Sequence, residues 1–67
     1  MTAATHHAEC SAARSQLDEL IERIERIADQ YRETSDSQIA ADLDQAERGL
    51  VMARRSLERA MDVLVAR

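Results

Sequence analysis

Residues 10–31, CSAARSQLDELIERIERIADQY, carry Cys10, Ala13, Leu17, Leu20, Ile24, Ile27 and Tyr31 at alternating steps of three and four residues. That spacing draws one narrow apolar stripe along a helix, the seam of a coiled coil. Ile39, Leu43, Ala46, Leu50, Ala53, Leu57, Ala60 and Leu64 repeat it downstream. Two helices that each have a stripe to cover predict an all-α fold, an antiparallel two-helix hairpin.

Between the stripes lie Thr34, Ser35, Asp36 and Ser37, whose side chains compete for backbone hydrogen bonds and so favour caps and turns. Ser35 followed by Gln38 fits a capping box. The phase of the pattern resets at the same place: continuing the first stripe past Tyr31 would put Gln38 and Ala41 on the seam, whereas the second stripe uses Ile39 and Leu43. The expected organisation is one domain over residues 1–67: a frayed start at Met1 to Ala4, a first helix over about 5–33 capped by Thr5, a turn over 34–37, and a second helix over about 36–66. Folding about Ser35 pairs residues whose numbers sum to seventy. Leu20 then meets Leu50, Ala13 meets Leu57, Cys10 meets Ala60 and His6 meets Leu64, several layers setting a large side chain against a small one.

The chain has 67 residues, no proline, one glycine (Gly49) and one aromatic (Tyr31). A core of this size rarely supplies more than about 3–5 kcal/mol of net stability unaided, so pairing of two hairpins into a four-helix bundle is expected. Gly49 marks either a close backbone approach or a tolerated neutral position. A single cysteine excludes an intrachain disulfide, and no run approaches the roughly 18 apolar residues of a membrane span. The chain reads as soluble, untargeted and cytoplasmic.

Catalysis finds no footing. His6, His7, Glu9 and Cys10 are the one cluster of metal-ligand residue types, but the mirror sets Leu64 and Ala60 opposite His6 and Cys10 where further ligands would be needed. Cys10 reads as a small packing residue, and neither a metal nor a cofactor is expected. The carboxylates lie on outward positions in water, where nothing separates an acid from a base. No glycine-rich phosphate loop is present. An enzyme is not expected.

The apolar residues outside the first seam are one-sided. Ile21, Ala28, Ala40 and Met61, continued by Val51 and Val65, gather on one flank, and the other flank is polar apart from Val63. This flank is the expected protein-interaction surface, for a second copy or another protein. Asp18, Glu22, Glu25, Asp29, Asp42 and Asp44 form the expected acidic docking face in a chain of net charge −4. The expected function is that of a small acidic adaptor or inhibitor. Compact acidic helical proteins of phage or mobile-element type, anti-CRISPR proteins among them, occupy the basic channels of nucleic-acid-binding machines, and such a nucleoprotein complex is one expected partner. In length and layout, though in no sequence motif, the chain also resembles Rop, the plasmid regulator built as a helical-hairpin dimer that binds RNA. That resemblance implies a dimeric nucleic-acid binder using Arg48, Arg55 and Arg59; the net negative charge opposes a polyanion and ranks it second. A subunit of a larger helical assembly is a third reading.

Overall fold

A computed structural model describes residues 2–67, and among these every regular element is helical. Helix α1 spans Ala3–Tyr31 and helix α2 spans Ser37–Val65, each of 29 residues, folded back on each other as an antiparallel hairpin with extents of 51 × 14 × 13 Å. Among the described residues no helix is long and apolar enough to cross a membrane.

The first helix starts earlier than the Thr5 cap implies. Thr2 is the N-cap: its hydroxyl accepts from the Thr5 amide at 3.2 Å, and the His6 amide donates to the Thr2 carbonyl at 3.1 Å. Thr5 serves the cap from inside the helix, so Ala3 and Ala4 are helical, not frayed; Met1 lies outside the described residues.

The first helix also stops sooner, at Tyr31. Arg32 is extended (φ −65°, ψ 141°) and Glu33 takes the left-handed region at φ 58°, the role glycine usually fills after a helix. Thr34 holds the corner. Its hydroxyl donates to the Tyr31 carbonyl at 2.6 Å and accepts from the Asp36 amide at 3.2 Å, while its carbonyl accepts from the Ser37 amide at 3.2 Å. The capping box does not form: Asp36 occupies the N-cap position, and the Gln38 amide donates to Asp42 instead.

The seam is rotated from the one the apolar count suggests. Buried or half-buried positions on α1 include His7, Cys10, Arg14, Leu17, Ile21, Ile24, Ala28 and Tyr31, and on α2 Ala40, Leu43, Glu47, Leu50, Arg54, Leu57, Met61 and Leu64. The most buried ones are Ile21, Ala28, Ala40 and Met61. Positions 10, 17, 24, 31, 43, 50, 57 and 64 belong to both candidate stripes. The helices have turned so that 21 and 28 face inward in place of 20 and 27, and 40, 47, 54 and 61 in place of 39, 46, 53 and 60, while Ala13 and Arg14 are both half-buried. His7 accordingly faces inward and His6 is exposed.

Candidate functional site: an uncovered apolar face opposite an ion-paired face

Rotation of the seam gives the hairpin two unlike long sides. In an antiparallel pair, flanks turned the same way from the two seams end up on the same side. On one side lie Arg14, Asp18 and Arg32 of α1 with Asp44, Arg54 and Glu58 of α2. The Arg32 guanidinium donates to both Asp44 oxygens at 2.8 Å and to Asp29 at 2.9 Å. Arg54 reaches Asp18 at 2.7 Å, and Arg14 lies 3.9 Å from Glu58. These three links join α1 to α2 along the length of one edge and are consistent with one register of the pair.

The other side has no such tie. Ala13, Leu20 and Ile27 of α1 run beside Ile39, Ala46, Ala53 and Ala60 of α2, a stripe without a charged residue in a chain that is 33% charged. Leu20, Ile27 and Ile39 keep 38%, 43% and 42% of their surface in water, against 0% for Ala28 and 5% for Met61. Gly49 borders this side, and a methyl group placed on it would meet nothing within 4 Å.

The expected interaction residues are therefore distributed differently from the flank drawn from sequence. Ile21, Ala28, Ala40 and Met61 are enclosed between the chain's own helices, Val51 is half-buried on the ion-paired side, and Val65, at the last helical position, is exposed. Leu20, Ile27 and Ile39, which the apolar count had assigned to the seam, are left in water, as are Met52, Val63 and Val65 outside that stripe. The acidic face is divided as well: Asp18 pairs with Arg54, Asp29 and Asp44 pair with Arg32, Asp42 accepts from Gln38, and Glu22 and Glu25 are exposed on α1 without an ion pair within 4.0 Å among the described residues.

Arg32 and Asp44 are the most strongly coupled of these groups. The hydrogen-bonded Arg32 guanidinium holds the Asp44 carboxyl below its ordinary range, and partial desolvation opposes the shift without cancelling it. A carboxyl depressed in the folded state contributes stability above its unfolded value of about 3.9, and that contribution is lost as pH falls through the folded-state value. Melting followed by circular dichroism should show Asp44→Asn less stable than wild type at neutral pH, with the two curves converging as the pH falls below the ordinary carboxylate range and through the depressed folded-state value. An undiminished gap at low pH would mean that Asp44 acts by packing.

At the open end, Thr2, Ala3, Ala4, His7, Leu64, Val65 and Arg67 border a shallow depression. Among the described residues no group of three or more His, Cys, Asp or Glu side chains gathers as a metal site, and Cys10 is a half-buried free thiol. On the outer ridge of α2, Arg48 donates to Gln45 and Arg59 to Ser56, and with Arg55 they form no ion pair within 4.0 Å among the described residues.

Neither family models, nor curated proteins, nor solved structures contain a match to this chain.

Proposed function

We propose that this protein is a non-enzymatic protein-interaction module, an acidic adaptor or inhibitor that acts through the uncovered face of the hairpin. One observation supports the reading above the others: the side bearing Leu20, Ile27 and Ile39 is continuous, uncharged and exposed, while the opposite side is tied by three cross-helix ion pairs. Scattered apolar side chains on a surface need no explanation, but a contiguous stripe along the length of a small protein is the signature of a surface meant to be covered. The carboxylates act at the rim of such an interface, where charge governs encounter rate and choice of partner more than affinity. Asp42, seven residues before Gly49 on α2, is the carboxylate of the acidic set that borders the uncovered face and is placed to meet a basic partner there, including a nucleic-acid-binding machine, whereas Glu22 and Glu25 lie on the ion-paired side.

The test introduces Leu20→Glu together with Ile27→Glu. Both positions are exposed in the hairpin, so the variant should keep its helical content, while two carboxylates would be desolvated without partners in any complex formed through this face. Association with itself or with a host protein should fall by a factor of at least about 100. Retention of every association by a folded variant would overturn the reading.

The three outer arginines of α2 favour nucleic-acid binding as the second reading. A Rop-like binder would show RNA or DNA affinity that falls steeply with salt and weakens when Arg48, Arg55 and Arg59 are replaced together by glutamine. The net charge of −4 favours the protein partner.

A further inference from the structure

We infer that the uncovered face is occupied by a second copy of this chain, so that two hairpins stack face to face as a four-helix bundle; this rests on the interaction reading above and names its partner. The first support is area. The chain exposes 4939 Å², whereas a compact monomer of its mass exposes about 4,200 Å². The excess is about 700 Å², and the 51 × 14 Å broad side has a footprint of the same order. A stable, specific interface needs about 800 Å² per partner. The whole face is thus about the size one standard interface requires, with no room for a much larger partner surface.

The second support is shape. In a two-fold interface the same patch must be complementary to itself, so it must carry projections and recesses together. This face does: Leu20 and Ile27 on α1 and Ile39 on α2 project, while Ala13 on α1 and Ala46, Ala53 and Ala60 on α2 leave recesses at the same heptad spacing. In the register with which the Asp18–Arg54 and Arg14–Glu58 pairs are consistent, Leu20 lies level with the turn of α2 between Ala46 and Ala53. A second copy related by a two-fold axis sets its Leu20 over an alanine whether the two turns lie together or apart. Gly49, with open space where a side chain would be, lets the second backbone approach along the edge of the interface at mid-length.

The experiment is sedimentation of the full chain from micromolar to millimolar concentration, in wild type, in Leu20→Glu and in Ala53→Leu. Wild type should approach twice its 7.5 kDa mass. Leu20→Glu should raise the dimer dissociation constant at least about 30-fold through the buried carboxylate. Ala53→Leu separates fitted packing from adhesiveness: it adds apolar surface to the face and fills a recess, so it should weaken the dimer about 10-fold while helical content is unchanged. Stronger association of Ala53→Leu would overturn the inference in favour of unspecific stickiness, and a dimer unaffected by Leu20→Glu would place the contact elsewhere. A wild type that stays monomeric throughout overturns the second-copy inference. In that case a host protein bound by wild type and lost in Leu20→Glu would leave the interaction reading standing, and no partner in either protein would overturn both.

Discussion

Ala28→Leu should collapse the hairpin. Ala28 has no exposed surface and Ala40 has 4%, and both sit near the turn, where α1 and α2 must come closest before the chain reverses. A leucine at that point has no space to enter. It must push the helices apart, and overpacking of this kind costs typically 1–3 kcal/mol. Against a net stability of about 3–5 kcal/mol for a core this small, that is a large fraction of what holds the fold. The expected result is loss of cooperative melting, read by circular dichroism, together with loss of the Arg32–Asp44 tie, since separation of the helices near the turn removes Asp44 from the reach of the guanidinium. A variant that melts as wild type does would mean that the turn-proximal helices are not in close contact.

The second large effect contrasts adjacent residues. Ile21 is enclosed between the helices and Leu20 is exposed beside it. Ile21→Ala removes buried methyl and methylene groups and leaves a cavity, at a cost of about 2–5 kcal/mol, so it should lower the melting temperature at every protein concentration. Leu20→Ala leaves the hairpin's own seam intact. Its effect should be confined to the concentration dependence of melting, because linkage transmits the loss of a partner contact only where folding and assembly are coupled. Equal behaviour of the two variants would reject the observed seam, and the reverse pattern would restore the stripe of Leu20 and Ile27. Met61→Ala is expected to follow Ile21→Ala, because Met61 is buried in the seam of the other helix.

These two residues also show where sequence reasoning stops. The existence of both helices, the antiparallel fold and the corner at Thr34 were legible, because they rest on period and on turn chemistry, which are properties of single segments. Which of two overlapping stripes closes the hairpin was not. Positions such as Leu17, Ile24, Leu50 and Leu57 serve both stripes, and the tie between them depends on a comparison across helices. Counting apolar residues favours 13, 20 and 27 with 39, 46, 53 and 60, since the competing stripe contains Arg14, Glu47 and Arg54. The charged stripe is nonetheless the one turned inward. Arginine can cover the seam with its aliphatic stem and carry its guanidinium to a partner at the edge, as Arg54 does to Asp18 and Arg14 toward Glu58. A two-class reading of apolar and polar residues has no entry for such a side chain. Spacing of opposite charges across the predicted turn, with arginine in one helix and carboxylate in the other at three places along one edge, was the available signal.

The candidate site was misplaced by the same rotation. Once the seam turns, the surplus apolar residues move from one flank to the other, and Ile21, Ala28, Ala40 and Met61 exchange roles with Leu20, Ile27, Ile39 and the alanines of α2. Glu33 could not have been found in any such pattern. Its positive φ answers to the need to leave α1 and re-enter as α2 within five residues, 32–36, and no glycine was present to mark it.

The elongated outline has a consequence for scattering in solution. The radius of gyration is 15.5 Å, where a globular chain of this length would have about 11 Å, because the 51 Å length dominates the mass distribution. Stacking a second hairpin on the broad side adds thickness and no length. Small-angle scattering of the stacked pair should therefore show a doubled forward intensity and an enlarged cross-section, with a radius of gyration only slightly above that of one hairpin. End-to-end joining would double the intensity equally but stretch the longest vector to nearly twice its value, so the shape of the curve tells sideways from tandem growth without any label on the protein.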